Sequence, residues 1–217
     1  MTIRALLCIV SAAILSGCYN GVPLPISPTY TPDTTAQAVV GAEKIPVSVE
    51  ARDSRANKAA LGTYNPGFGS RPFVTSDDLA ALLKSGVESE LRDRGFELKS
   101  SGTTVLIDLQ EVEVGRFVTP ENLFGSEENR AAAMVVMNVT IKRLDGVEIY
   151  GRKIAGQSRL GDLSEQTASS GAQMVLNYAL NKAVRTLMAD PKFIQALMAS
   201  PSVPAKPERR NSEKRLG

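Results

Sequence analysis

The segment 131–157 limits the fold of this chain more than any other stretch. Apolar residues occupy every second position of its first half, at Val135, Met137, Val139 and Ile141. This period is typical of a strand with one buried face. Asp145-Gly146 follows and predicts a type I′ turn into a second strand. The segment therefore predicts an antiparallel hairpin, whose apolar face needs a covering layer.

A long helix is predicted after this hairpin. In residues 168–190 the apolar positions recur three and four apart, which predicts an amphipathic helix with one buried stripe. They are Ala172, Val175, Leu176, Ala179, Leu180, Ala183, Val184 and Leu187. Met174 and Tyr178 lie in the same helix, and we interpret them as core and edge packing. Asp190-Pro191 predicts the start of a short helix that follows.

Another helix is predicted before the hairpin. Ser76 is its predicted N-cap, with Asp77 and Asp78 in the first turn, and Gly95 ends it. Gly86 in the middle of this helix costs stability relative to alanine. We therefore expect another group to pack closely against the helix at Gly86.

Three more strands are predicted, at residues 45–49, 96–98 and 103–117, and residues 54–75 are predicted to be a long loop. The apolar phase shifts near Gln110–Glu111, which indicates a β-bulge. Taken together, the elements predict an α+β fold. We expect a two-layer sandwich: a mainly antiparallel sheet of about four to five strands, with two main helices on one face.

The N-terminal residues are typical of a bacterial lipoprotein leader. Arg4 precedes a short apolar run, and the run ends in Leu15-Ser16-Gly17-Cys18. This tetrapeptide resembles a lipobox, in which the leader is cut between Gly17 and Cys18. The cysteine thiol then carries a diacylglycerol, and an N-acyl chain such as palmitate completes the anchor. The alternatives are an ordinary signal peptide and a buried helix with an incidental cysteine.

Four regions are predicted along the chain. Residues 1–17 are the signal peptide, and residues 18–43 are the lipidated cysteine and a proline-rich tether. Residues 44–200 form the globular α+β domain, and 201–217 are a disordered basic tail. Tyr19, rather than aspartate, follows the anchor cysteine. By analogy with enteric bacteria, this favours the inner leaflet of the outer membrane, with the domain facing the periplasm.

Most of the chain, from Leu15 to Leu197, resembles the YajG-like lipoproteins, a family of bacterial envelope lipoproteins; the segment "VTPENLFGSEEN" and the basic tail have no counterpart there. The resemblance rests on the lipobox, the proline-containing spacer, and the segments "VSVEARDSRANKAALGT", "LRDRGFEL" and "LNYALNKAVRTLMADPKFIQAL". It implies the architecture and a membrane-anchored location. It implies no activity.

Several classes of function are excluded by what the sequence lacks. There is no histidine and there are only two cysteines, which excludes histidine-activated nucleophiles and nearly all zinc sites. Neither a metal site nor a cofactor is expected, apart from the lipid on Cys18. The formal net charge is only +2, so no nucleic-acid partner is expected. We therefore predict a protein that is not an enzyme.

Two groups of residues are candidates for binding. Asp53 and Arg55 start on the same face of an extended chain, and they form either a recognition pair or an anchor for the following loop. The loop 61–73 presents Tyr64, Phe68 and Arg71 among glycines, a composition that suits a binding loop. In the alternative, the loop folds back and Phe68 or Phe73 fills the core.

The carboxylates Asp108, Glu111 and Glu113 suggest glycosidase chemistry on cell-wall glycan, but such residues usually form the solvated face of a strand. The leading hypothesis is a binding or scaffold protein whose partners are the membrane lipid and another envelope protein or the cell wall. One alternative is an accessory subunit of an envelope transport or assembly complex, and an enzyme acting on glycan is the other. The sequence does not predict an oligomeric state.

Overall fold

The computed structural model describes residues 21–65, 70–116, 130–162 and 167–200. The strands are β1 (Leu24–Pro25), β2 (Pro46–Asp53), β3 (Ala60–Tyr64), β4 (Arg71–Val74), β5 (Glu97–Leu98), β6 (Thr103–Arg116), β7 (Arg130–Lys142) and β8 (Glu148–Asp162). The helices are α1 (Leu79–Asp93), α2 (Ala168–Met188) and α3 (Pro191–Met198), and a 3₁₀ turn covers Ala42–Lys44. The leader, Gly17, Cys18, Phe68 and the tail 201–217 lie outside the described residues.

Strand β6 lies at the centre of one mixed sheet. Along one side it pairs with β7 in antiparallel orientation, and β7 pairs in the same way with β8. Along its other side it pairs in parallel with β2, from Val47 to Asp53, and then with β3 at Gly62. The pairs β3–β4, antiparallel, and β1–β4 and β2–β5, both parallel, complete the sheet. The loop between β2 and β3 thus divides this side of the sheet into two parts.

The predicted α+β class is confirmed, but the predicted number of strands is wrong. The sheet has eight strands, because the segment predicted to be a long loop contains the hairpin β3–β4 and the N-terminal spacer contributes β1. These strands are two to five residues long, which is too short for a visible period of two. The predicted antiparallel pairing holds for β6, β7 and β8, whereas β2 and β5 pair in parallel.

Two local predictions are wrong and one is confirmed. A type I′ turn needs a positive φ at both central residues, but no non-glycine residue in the described part of the chain has one. The loop instead has three residues, Leu144 to Gly146, and Gly146 has a φ of 82°. Helix α1 is capped by Asp78, whose carboxylate accepts from the Ala81 N–H at 3.0 Å, and not by Ser76. The β-bulge lies at Gln110, as predicted.

The helices cover the apolar face of the sheet, and the core lies between these layers. The bulge keeps the apolar residues of β6 inward on both sides of it, since Leu109 and Val112 are both buried. Helix α2 packs closely on β8 at Gly156. A Cβ atom there would lie 2.0 Å from the carbonyl oxygen of Ala179. Among the described residues, no helix combines the length and the apolar character needed to cross a membrane.

Candidate functional site

The N-terminal spacer, residues 21–43, lies on the body rather than apart from it. The Gly21 N–H donates to the Ser70 carbonyl at 3.1 Å, and the Arg71 guanidinium donates to the Val22 carbonyl at 3.0 Å. Strand β1 then extends the sheet at β4, and Leu24 and Ile26 are buried. The prolines of this segment predict an extended tether. The chain is extended, but its apolar side chains fasten it to the body.

Beyond β1 the spacer crosses helix α1. The ring of Tyr30 lies on Gly86, where a Cβ atom would be 3.0 Å from the ring, as the glycine inside this helix predicts. The Tyr30 hydroxyl and the Asp33 N–H each donate to the Glu90 carboxylate at 2.7 Å. Arg94 donates to its other oxygen at 2.5 Å. A fully buried carboxylate is therefore satisfied by donors from two segments.

The charge on Glu90 is stabilised by these donors. Burial of the carboxyl raises its pKa, but the three hydrogen-bond donors outweigh burial and hold the pKa below its ordinary value of 4.5. Burial and the negative charge of Glu90 raise the pKa of the Tyr30 hydroxyl. The tyrosine therefore stays protonated and the glutamate ionised, which is the pair of states that the hydrogen bond requires.

Helix α2 holds the spacer from the other side. The amide oxygen of Asn177 accepts from the Thr29 N–H at 2.8 Å, and that of Asn181 accepts from the Thr31 N–H at 3.0 Å. These two asparagines are four residues apart, so they lie on the same face of the helix. The spacer therefore occupies the groove between α1 and α2. We call this part of the spacer, residues 24–33, the strap.

A second groove, of about 740 Å³, lies beside α2. The strap reaches it at Thr31, and β8 lines it with Gln157, Ser158 and Arg159. The lining from α2 includes Met174, Tyr178, Lys182 and Arg185. We call it the α2 groove. Met174 is 50% exposed and Tyr178 is 55% exposed, so the interpretation of these two residues as core and edge packing is wrong.

The α2 groove is basic. Among the residues that the structure describes, no aspartate or glutamate lines it, and Arg159 and Lys182 form no ion pair with any of those residues. Arg185 lies 3.9 Å from Asp33 of the strap, with half of its side chain exposed. Unpaired cations beside exposed apolar side chains suit a ligand that carries both negative charge and apolar groups.

Asp53 and Arg55 lie together, as their spacing predicts, and they bind each other. The Arg55 guanidinium donates to both oxygens of Asp53, at 3.0 and 2.7 Å, and also to the carbonyls of Lys58 and Ala60. Both side chains are more than nine-tenths buried. Burial raises the pKa of the Asp53 carboxyl, but the hydrogen bonds and the charge of Arg55 lower it by a larger amount. The pKa therefore lies below its ordinary value. This geometry matches the second hypothesis for Asp53 and Arg55, in which the two residues anchor the loop that follows them.

The other candidates from the sequence are spread over the molecule. Tyr64 is buried against Phe73, with 6.3 Å between the ring centroids, so it is not an exposed binding residue. Asp108 pairs with Arg52 on the face of the sheet that lacks helices, and Glu111 and Glu113 are exposed. Among the described residues, no three of the types that bind metals come close enough to hold an ion.

Most of the residues that form the strap contacts and the α2 groove were not singled out from the sequence; Met174 and Tyr178 were, with a different interpretation, and Gly86 was, without its partner. The signal available was the polar spacing on α2, where Asn177, Asn181 and Arg185 follow one another at intervals of four. Such a stripe on an exposed helical face is ordinarily assigned to solvent. Nothing local in the sequence indicates that a segment about 150 residues away covers it.

Comparison with models of protein families identifies one family for the chain. A family model described as "uncharacterized lipoprotein" matches residues 32–198. No curated protein matches the chain. Three similar solved structures are a DUF330-family protein from Xanthomonas campestris, a minor lipoprotein from Acinetobacter baumannii and a candidate lipoprotein from Caulobacter crescentus.

These structures are distant from the chain. The Xanthomonas protein is 14% identical, covering 77% of this chain and 92% of its own, with a TM-score of 0.47. The Acinetobacter protein is 12% identical over 69% and 92%, with a TM-score of 0.42. The Caulobacter protein is 14% identical over 74% and 95%, with a TM-score of 0.40. At these scores the likeness carries no argument about function.

Proposed function

Because the chain belongs to this family of uncharacterised lipoproteins, we propose that it is an envelope protein held by lipid on Cys18. Its body is a binding domain and not an enzyme. The ligand is an acidic, extended segment of another envelope protein, and it binds in the α2 groove. The location that fits Tyr19 is the inner leaflet of the outer membrane, with the body in the periplasm. We include in this proposal that the chain is one of the YajG-like lipoproteins.

The observation that carries the ligand class is the lining of the α2 groove. Arg159, Lys182 and Arg185 line one cavity, and none of its described lining residues carries a carboxylate. Arg185 already lies 3.9 Å from Asp33, but Arg159 and Lys182 are like charges along one groove, and a ligand with carboxylates relieves their repulsion. The exposed side chains of Met174 and Tyr178 supply apolar contact beside the charges. Methionine adapts to ligands of varied shape, so it suits a peptide.

Strand β8 supports an extended ligand. It is 15 residues long, and among the described strands only β7 pairs with it. Its groove residues, Gln157 to Arg159, lie at the edge of the sheet, where unpaired backbone groups accept an added strand. A ligand strand that pairs with this edge and carries carboxylates would place them beside Arg159. A second copy of β8 would instead bring like charges together.

Peptide binding tests the ligand class. Isotope-labelled protein is titrated with a peptide of alternating Glu and Leu, and the methyl signal of Met174 is followed. We expect that signal to shift with this peptide and not with its Lys/Leu counterpart. The double variant Arg159→Glu and Lys182→Glu should abolish the shift. Lys142→Glu with Lys153→Glu is the matched control, because these exposed lysines of the sheet lie outside the α2 groove.

A response that is the same for both peptides, or that survives the double variant, contradicts the proposed ligand. Capture from crosslinked envelopes then tests whether such a ligand exists in the cell. The partner should be lost with the α2 groove variant and kept with the lysine control. Capture of cell-wall glycan in place of a protein would instead favour the hypotheses in which the cell wall is the partner or the substrate.

The anchor is tested separately by mass spectrometry of the N-terminal peptide. We expect the leader to be absent and Cys18 to carry a diacylglycerol and an N-acyl chain. Cys18→Ala should release the body from the membrane fraction. An unmodified Cys18 in membrane-bound protein would refute the anchor.

A further inference from the structure

The anchor and the first contact of the body are close together in the chain. Only two residues separate Cys18 from Gly21, and Gly21 already bonds to Ser70 on the body. A fully extended chain covers at most about 3.6 Å per residue. The alpha carbons of Cys18 and Gly21 therefore lie within about 11 Å of each other. A free tether of 26 residues would give the body a mean distance on the order of 30 Å.

The contacts that hold the start of the spacer on the body are close and include backbone hydrogen bonds. A Cβ atom on Gly21 would lie 2.5 Å from the side chain of Arg71, so the backbone there is packed tightly on the body. Strand β1 pairs with β4, and the Ile26 N–H donates to the Val74 carbonyl at 2.9 Å. Leu24 and Ile26 bury their side chains, and two buried aliphatic side chains stabilise the contact by a few kcal/mol.

These two facts set the orientation of the body. We propose that the end of the body that carries Val22, Ser70 and Arg71 lies against the bilayer that holds the anchor lipid. The proposal rests on the lipid at Cys18 that we propose above. The side chain of Val22 is 73% exposed, and Val22 is only four residues from Cys18 along the chain. It is therefore available for contact with the interface between headgroups and acyl chains.

The opposite end of the body lies far from the bilayer. Strand β7 starts at Arg130, near the anchored end, and runs to Lys142. Its 13 residues span about 44 Å at 3.4 Å per residue. The exposed Leu144 lies in the loop just beyond. The α2 groove lies nearer to the anchored end, since Arg159 is three residues from Asp162, which pairs with Arg130. A ligand in the groove is thus held beside the membrane.

Energy transfer from single labelled cysteines tests this orientation. The mature chain offers no competing thiol, because Cys8 is removed with the leader and the thiol of Cys18 carries the lipid. Ser70→Cys and Leu144→Cys, each with the same fluorophore, are placed in lipidated full-length protein. The protein is incorporated into vesicles of phosphatidylethanolamine and phosphatidylglycerol with a headgroup acceptor dye. We expect transfer from position 70 to be several-fold larger than from position 144.

A linker variant provides the control. Fifteen Gly/Ser residues inserted after Asn20 add a mean reach of about 20 Å, and they should lower transfer from position 70 towards that from position 144. Equal transfer at both positions without the linker, or no response to the linker, overturns the orientation. Protein that does not float with the vesicles would instead refute the anchor, so the two failures are distinguishable.

Discussion

Tyr30→Phe is the sharpest test of the strap, because it removes one hydroxyl group and leaves the ring in place. The hydroxyl donates to the Glu90 carboxylate at 2.7 Å. A hydrogen bond to a charged group contributes about 1.5–3 kcal/mol. Glu90 keeps its bonds from Asp33 and Arg94 in this variant. We therefore expect a loss at the low end of this range, about 1.5 kcal/mol in the free energy of unfolding.

The loss is measured by urea unfolding of the protein that starts at Tyr19. For a domain of this size it corresponds to a fall of about 3–6 °C in Tm. Tyr178→Phe is the matched control, since Tyr178 is 55% exposed on α2 and should change stability by less than about 0.5 kcal/mol. If Tyr30→Phe has no more effect than this control, the strap does not contribute to stability and the reasoning is refuted.

The same variant has a pH dependence with a definite sign. The folded-state pKa of Glu90 lies below its unfolded value, 4.5, because the hydrogen-bond donors outweigh the burial that raises it. Stability from the ionised carboxylate is therefore fully present above pH 4.5 and is lost as the pH falls through the folded-state pKa. The difference between wild type and Tyr30→Phe should be constant near neutral pH and shrink only below pH 4.5. A difference that shrinks between pH 7 and pH 5 contradicts this sign.

Two further predictions concern the packing of α2 and α3. Gly156→Ala places a Cβ atom 2.0 Å from the carbonyl of Ala179 and should cost more than about 3 kcal/mol in thermal unfolding. Gly151→Ala meets only the end of a flexible side chain and should cost less than about 1 kcal/mol; equal losses would refute the close packing. Asp190→Ala removes the cap of α3 and also the acceptor of the Tyr150 hydroxyl and the Arg152 guanidinium, so it should cost more than about 2 kcal/mol. Asp190→Asn still accepts from the Lys192 N–H, so it should lose less, and equal losses would contradict the capping role.

The long elements are predictable from the sequence because each carries its own period. Helix α2 shows a nearly unbroken helical stripe, and β6 and β7 show alternation that includes the shift at Gln110. The hairpin β3–β4 lacks such a signal, since Gly62 and Pro72 interrupt it. It is held by pairing with its neighbours, including Gly62 with Val114 on β6. Local propensity does not reveal pairing of this kind.

The candidate site is less predictable than the fold. Asp53 and Arg55 are two residues apart, so their pairing is a local event that the sequence indicates. The α2 groove depends on a different kind of event, the meeting of β8, α2 and the strap. Tyr178 illustrates the difference, because a tyrosine on a helix fits both an edge of the core and an open groove. Only the tertiary arrangement decides between these environments.

The strap also constrains how the chain matures. Its bonds from Thr29 to Asn177 and from Thr31 to Asn181 join residues 148 and 150 positions apart. Neither bond can form until synthesis has passed α2. Until then the strap lacks its contacts with α2 and is held only by partners made earlier, which are β4 for Leu24 and Ile26 and Glu90 for Tyr30. Under the lipidation of Cys18 that we propose, fewer contacts hold the segment beside the processing site before α2 is made than after it, so the order of folding and processing decides how accessible that site is.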